Sequence, residues 1–303
     1  MSETQKLIPV IDSHHHLWDM ENNPYPGLQI PSDDTHLGDY RSICKNYLID
    51  DFLKDLQGQN VTKSVHIEAG WKSDDWQAET RWLQNVSNQH GLPTAIVPNV
   101  DLFANNAEQR IETLATYSSV RGIRSRFLTP AELANLKNQT FVNPLTNRGW
   151  RKAFQKLQTH NLSFDLQAPP LLMPMAAEIA NAFPDTRFVL THAGLPLDRS
   201  VDGIQIWKKG MLSLATLDNV YVKISGLGMT DWDWTEDSFR PIILDTIDIF
   251  GPSRCMFGSN FPVDSLYASY DRLLTSIRSI IVDFSEEEQQ QFLNKTASTF
   301  YRI

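Results

Sequence analysis

Cysteine is scarce in this sequence: Cys44 and Cys255 stand alone and far apart. Two thiols so placed build neither a disulfide framework nor a zinc knuckle, and a reducing compartment, the cytoplasm, is the expectation. Basic charge is also short, with 27 Lys and Arg against 36 Asp and Glu and a formal charge of −9. Nucleic acid and anionic membranes repel such a chain, so neither is expected as a partner; a local basic pocket for an anionic small molecule stays open. No stretch approaches the roughly 18 consecutive apolar residues of a membrane span, and the opening MSETQKLIPVIDSHHH lacks the apolar core of a signal peptide. No Gly-x-Gly-x-x-Gly opens a helix, which disfavours a doubly wound dinucleotide-binding sheet.

What is present has the period of a parallel sheet wrapped by helices. With 303 residues, 41% of them hydrophobic, the chain can bury a substantial core, and one domain spanning 1–303 is expected. Short β-branched or aromatic runs recur: IPVIDSHH, SVHIEAG, TAIVPNV, VRGIRSRF, LSFDLQA, RFVLTHAG, VYVKISGL and RCMFGSNFP. Helical stretches lie between them. Trp76, Thr80, Leu83 and Val86 share a face, with Asp74 as the expected cap and Gly91 as the stop. Ile111 with Leu114 marks another helix, Phe154 with Leu157 a third, and Glu236 to Phe250, stopped by Gly251-Pro252, a fourth. Eight strand-and-helix units predict an α/β protein of the (β/α)₈ TIM-barrel type, whose working face lies at the C-terminal strand ends. Two connections are unusually long, from about Asp19 to Leu48 after the first strand and from Gly228 to Glu236 after the seventh. Both are expected over the mouth.

Candidate chemistry collects at those strand ends. In Asp12-Ser13-His14-His15-His16, alternation puts His14 and His16 on one face and His15 on the other. Two imidazoles converging inside the mouth suit a divalent metal or a hydrogen-bonded substrate. His192, in Thr191-His192-Ala193-Gly194, joins them from the sixth strand. The eighth strand ends in Gly258-Ser259-Asn260-Phe261-Pro262-Val263-Asp264. Asn260 cannot act as a base, whereas Asp264 either does so or caps the next helix. Arg124 and Arg126 share a face of the fourth strand and read as a fork for a carboxylate, or else as framework arginines in ion pairs. Lys223 and Glu68 raise the same question. Trp232 and Trp234 either line a substrate cleft or pack the second long loop down.

Together these pieces resemble the amidohydrolase superfamily, in the branch that includes L-fuconolactonase and 2-pyrone-4,6-dicarboxylate lactonase. The resemblance is carried by IDSHHHLWD, GIRSRF, FPDTRFVLTHAGLP, NVYVKISGL, RCMFGSNFPVD and LNKTASTFYRI, in family order across nearly the whole chain. It implies a TIM barrel that hydrolyses a lactone or similar cyclic ester. His14 and His16 match the family's first-strand histidines, His192 its sixth-strand histidine, and Arg124 an arginine that holds a substrate carboxylate. Asn260 departs from the family's aspartate. Gln167 stands where many members carry a histidine ligand, so a binuclear centre is not expected.

The expected function is therefore hydrolysis of a small carboxylated lactone. His14, His16, His192, Asn260 and Asp264 are the candidate catalytic residues; Arg124, Arg126, Glu68, Gln167 and Lys223 are the substrate-binding ones. At most one divalent metal is expected, zinc or manganese on His14, His16 and His192, or none. The partner is a small-molecule substrate, with homo-oligomerisation open. The alternatives are a metal-dependent decarboxylase, which asks for an acidic ligand on the eighth strand, and a noncatalytic binding barrel that lost its base at Asn260.

Overall fold

The computed structural model describes residues 7–33, 35–72, 74–125 and 143–303. Arg126 lies outside the described residues. All eight apolar runs become strands: β1 Val10–His15, β2 Val61–Ile67, β3 Ala95–Val97, β4 Gly122–Arg124, β5 Ser163–Leu166, β6 Phe188–Leu190, β7 Val220–Ile224 and β8 Cys255–Phe257. They pair in parallel as β1-β2-β3 and β4-β5-β6-β7-β8. Isolated parallel bridges join the two sheets, Ile96 to Val120 and Asn99 to Arg124 on one side and His15 to Phe261 on the other.

Parallel neighbours cannot be joined by a hairpin, and helices supply the crossovers. The helix Glu236–Phe250 has the bounds read from the sequence. Thr235 and Ser238 cap its start reciprocally through side chain and backbone, and Gly251 at φ 77° ends it. Helix Ala78–His90 stops at Gly91, whose φ of 75° suits glycine. Its start differs from expectation: Asp74 is not the cap. Asp75 accepts from the Gln77 amide at 3.3 Å and pairs with Arg81 at 2.6 Å, so the carboxylate beside the helix start is the next one along. Ala107–Leu114 and Arg148–Thr159 carry the other two anticipated faces, with Ile111, Leu114, Phe154 and Leu157 fully buried. No helix among the described residues is long and apolar enough to cross a membrane.

Alternation along the strands sorts the core into two regions. Phe164, Leu166, Phe188, Leu190, Val220, Val222, Cys255 and Phe257 face the helices, where fully burying one large apolar side chain is worth roughly 1.5–3 kcal/mol. Ile11, Val65, Ile67, Ala95, Val97, Val189 and Met256 form a second cluster with Ala297, Phe300 and Tyr301 of the last helix, Thr296–Tyr301. Residues of five strands, several not adjacent, meet there, so they fill the space between the two sheets. The same inward rows then change character: Arg124, Asp165 and Lys223 are polar and buried.

The two long connections meet one another. The Trp232 indole donates to the His36 carbonyl at 3.2 Å, and the Tyr267 hydroxyl donates to the Leu37 carbonyl at 2.8 Å. The first connection includes a short helix, Pro26–Gln29, and a tight turn at Arg41–Ile43, and is pinned at its base by pairing of Trp18 with Tyr47.

Candidate active site

His14, His16 and His192 come together. The His14 ring centroid lies 5.2 Å from that of His16 and 4.5 Å from that of His192. His15 turns the other way, stacked at 4.0 Å on Phe52 of the helix Ile49–Asp55. The backbone explains why. Ile11 points between the sheets, and strict alternation would send His15 there too; the β1–β2 register shifts between Asp12 and His15, which reverses the faces and delivers His14 and His16 instead. Buried Asp12 pins this irregular segment to the end of β8: its carboxylate accepts from the Ser259 amide at 2.8 Å, the Ser259 hydroxyl at 2.6 Å and the Tyr270 hydroxyl at 3.1 Å. Burial pushes the Asp12 carboxyl up to about 6 against those bonds.

Each ring has its own setting. His16 Nδ1 donates to the Ile67 carbonyl at 2.8 Å, which leaves Nε2 directed at Asn260 Oδ1, 3.4 Å away. His192 Nδ1 meets the Ser225 hydroxyl at 3.1 Å. Among the described residues neither nitrogen of His14 has a hydrogen-bond partner, although both are buried. Burial first, then the nearby cations Lys223 and Arg124 and the neighbouring histidines, hold His14 and His192 well below the usual imidazole range. These are neutral imidazoles, each able to donate from one nitrogen and accept at the other.

The backbone around the histidines is conformationally demanding. His192, Ala193, Leu195 and Asn260 all have positive φ, between 48° and 59°, at roughly 1–3 kcal/mol each for a non-glycine residue. Gly226, at φ 59°, allows it: a Cβ there would lie 2.5 Å from His192 Nδ1 and 3.1 Å from Asn260 Nδ2. Asn260 Nδ2 donates to Asp264 Oδ1 at 2.8 Å. Burial lifts Asp264 up to about 7, opposed by that hydrogen bond and one from the Gly228 amide.

Arg124, at the end of β4, donates to Gln167 Oε1 at 2.7 Å and lies 3.5 Å from Glu68 Oε1. Glu68 also accepts from the Gly70 amide. Arg124 therefore comes to the site already oriented by two of the other anticipated residues. Lys223 lies beneath the histidines, fully enclosed, its Nζ 2.6 Å from Asp165 Oδ2. Burial draws the amine down to about 8, and Asp165 opposes the fall. The two tryptophans differ in setting. Trp232 is exposed and lines a cavity of about 240 Å³ with His36, Leu197, Met229, Thr230 and Asp231, whereas Trp234 is buried, stacked 4.3 Å from Phe239 under the Arg272 guanidinium.

Sequence reasoning missed several supporting residues. Asp165 binds Lys223 and accepts from the Tyr301 hydroxyl at 2.9 Å; Ser225 orients His192; Asp12 anchors the histidine segment. A signal existed for the first. Asp165 in LSFDLQA and Lys223 in VYVKISGL are isolated charges in apolar strands, and buried charges come in pairs.

Neutral imidazoles are suitable zinc ligands, and His14 has both nitrogens available. Yet among the described residues no three His, Cys, Asp or Glu side chains are grouped to hold a metal ion. Hydrogen bonds to Ile67 and Ser225 set the orientations of His16 and His192. As arranged, His14, His16 and His192 lie close together but are not grouped as a three-ligand set.

The amidohydrolase family description matches residues 11–303. The chain is 40% identical over 299 residues to the "Uncharacterized protein y4mH" of Sinorhizobium fredii, covering 98% of this chain and 99% of that one. It is 29% identical over 305 residues to an L-fucono-1,5-lactonase of Burkholderia ambifaria, covering 97% and 95%. The crystal structure of an amidohydrolase from Burkholderia multivorans with bound zinc has the same fold, at TM-score 0.81 and 23% identity over 97% of this chain and 99% of that one.

Proposed function

Because the chain belongs to the amidohydrolase family, we propose that it is a lactonase-like hydrolase built on a single (β/α)₈ barrel, opening a small carboxylated lactone or similar cyclic ester. The observation that carries this reading is that the buried rings of His16 and His192 flank that of His14, and that among the described residues neither ring nitrogen of His14 has a hydrogen-bond partner. A buried polar group without a partner is costly, and a substrate oxygen would supply one.

In this reading His14 and His192 donate to the lactone carbonyl and stabilise the oxyanion that forms when water adds to it. Asp264 takes the proton of the attacking water, suited to the task near neutral pH by its raised pKa, while Asn260 holds the carboxylate in place. Collapse of the tetrahedral intermediate breaks the ring ester bond, and the proton passes to the leaving alkoxide. Arg124, set by Glu68 and Gln167, anchors the substrate carboxylate. Lys223 acts from below through its charge, which favours neutral His14. A zinc ion such as the one named in the Burkholderia multivorans structure would have to draw these rings together.

The acid adjoining Asn260 also speaks for an enzyme over a binding protein that lost its base. The test is turnover of a panel of sugar lactones, L-fucono-1,5-lactone among them, and pyrone carboxylates. Hydrolysis is expected for at least one, with kcat lowered on the order of 10²-fold or more in His14→Ala. A well-folded protein that opens none of them would sink the reading.

A further inference from the structure

On the opposite rim, at the N-terminal ends of the strands, a cleft of about 360 Å³ is lined by Tyr117, Ser118, Arg121, His160, Asn161 and Arg302 among others, with no Asp or Glu among the described residues of its wall. Arg121 directly precedes β4, Asn161 lies just before β5, and Arg302 follows the last helix. Arg187, directly before β6, donates to Asn161 Oδ1 at 2.8 Å and brings a third guanidinium to the edge.

Main-chain carbonyls hold the guanidiniums of Arg121 and Arg302. Arg121 Nη1 donates to the Ser118 and Val120 carbonyls at 2.6 and 3.0 Å; Arg302 donates from Nη1 to Phe300 and from Nη2 to the Arg121 carbonyl at 3.1 and 2.9 Å. A carbonyl fixes a guanidinium but leaves its charge uncancelled. Among the described residues none of the three arginines has a carboxylate within ion-pair distance, although acidic residues outnumber basic ones in this chain. The positive charges also act on one another: burial, then Arg187 and Arg121, draws Arg302 down to about 10. Rigid, unpaired cations in a recess are pre-organised for an anion.

We propose that this cleft is a second ligand site, remote from the histidines, which binds a compact polyvalent oxyanion, a phosphate ester or a polycarboxylate, between Arg121 and Arg302. Several guanidiniums converge, so charge beyond one is favoured over a simple monocarboxylate. Ser118 and Asn161 add neutral donors at the rim.

The experiment is calorimetric titration of the full chain with inorganic pyrophosphate and, separately, citrate, at constant ionic strength. Wild type is compared with Arg302→Gln, Ser118→Asp and Arg124→Gln. Saturable binding of one equivalent of at least one anion is expected, weakened about tenfold or more in Arg302→Gln and Ser118→Asp and unchanged in Arg124→Gln. Ser118→Asp leaves the arginine scaffold in place and fills the cleft with a competing carboxylate, so its result stands even if Arg302→Gln misfolds. No saturable binding of either anion, or binding lost in Arg124→Gln and kept in Ser118→Asp, would overturn the proposal.

Discussion

Asn260 donates through Nδ2 to Asp264 Oδ1 over 2.8 Å, so a carboxylate stands four residues beyond Asn260 and is held by its amide. Asp264 is buried in a short helical turn, Val263–Leu266, and does not take the helix-cap role that was one of its two readings. Ser269, not Asp264, caps the following helix Tyr270–Ile280.

Asp264 should impose two opposite pH trends. With its carboxyl pushed up to about 7, the ionised base forms only as pH rises, so kcat/KM should climb through about pH 7 and lose this limb in Asp264→Asn, with a fall on the order of 10²-fold. Stability runs the other way. Between the ordinary value of 3.8 and about 7 the folded protein keeps a proton that the unfolded chain releases, so this contribution is full below 3.8 and is lost as pH rises through about 7. Buried Asp12 adds the same sign, and the lowered histidines add the reverse below 6.5. The difference between wild-type and Asp264→Asn urea midpoints at pH 4.5, 6 and 8 isolates the residue; a constant difference would refute the assignment.

Gly226→Ala should cost about 1–3 kcal/mol through its positive φ alone. Its methyl would also intrude on His192 Nδ1 at 2.5 Å. Activity is therefore expected to drop further than stability. Under conditions where the variant is fully folded, an unchanged kcat would show that His192 does not need its present position.

Breaking the ion pair beneath the site should be costly. Lys223→Met leaves Asp165 buried with, among the described residues, only the Tyr301 hydroxyl, and a loss of about 3–5 kcal/mol in chemical denaturation is expected. Lys223→Met combined with Asp165→Leu should recover much of it, because no lone charge remains. A double variant no more stable than the single would mean that packing, rather than charge, sets the cost.

Chelation is expected to leave lactone hydrolysis standing, since no three-residue ligand group is preassembled among the described residues. Zinc or manganese added to the stripped protein should bind at no more than one equivalent, and more weakly in His14→Ala. Two tight equivalents, or activity that vanishes on chelation and returns with metal, would require the histidine rings to rearrange about a cation.

Much of this protein could be read one segment at a time. Strand positions, the helix Glu236–Phe250 and the stop at Gly91 follow from periodicity and cap chemistry, which are local properties of a few neighbouring residues. So does the opposed facing of His14 and His15. The register shift in β1 is different: it decides that His14 rather than His15 faces inward, and it rests on Asp12 meeting Ser259 and Tyr270, more than 240 residues away. Arg124 is oriented by Glu68 and Gln167 from two other strands, and Lys223 finds its counter-charge on Asp165 two strands away. Such partners are chosen by packing across the space between the sheets, where burial makes an unpaired charge or donor costly. A local sequence window holds only one member of each pair, so the sequence by itself determined the elements and the residue types, while the tertiary structure decided which of them meet.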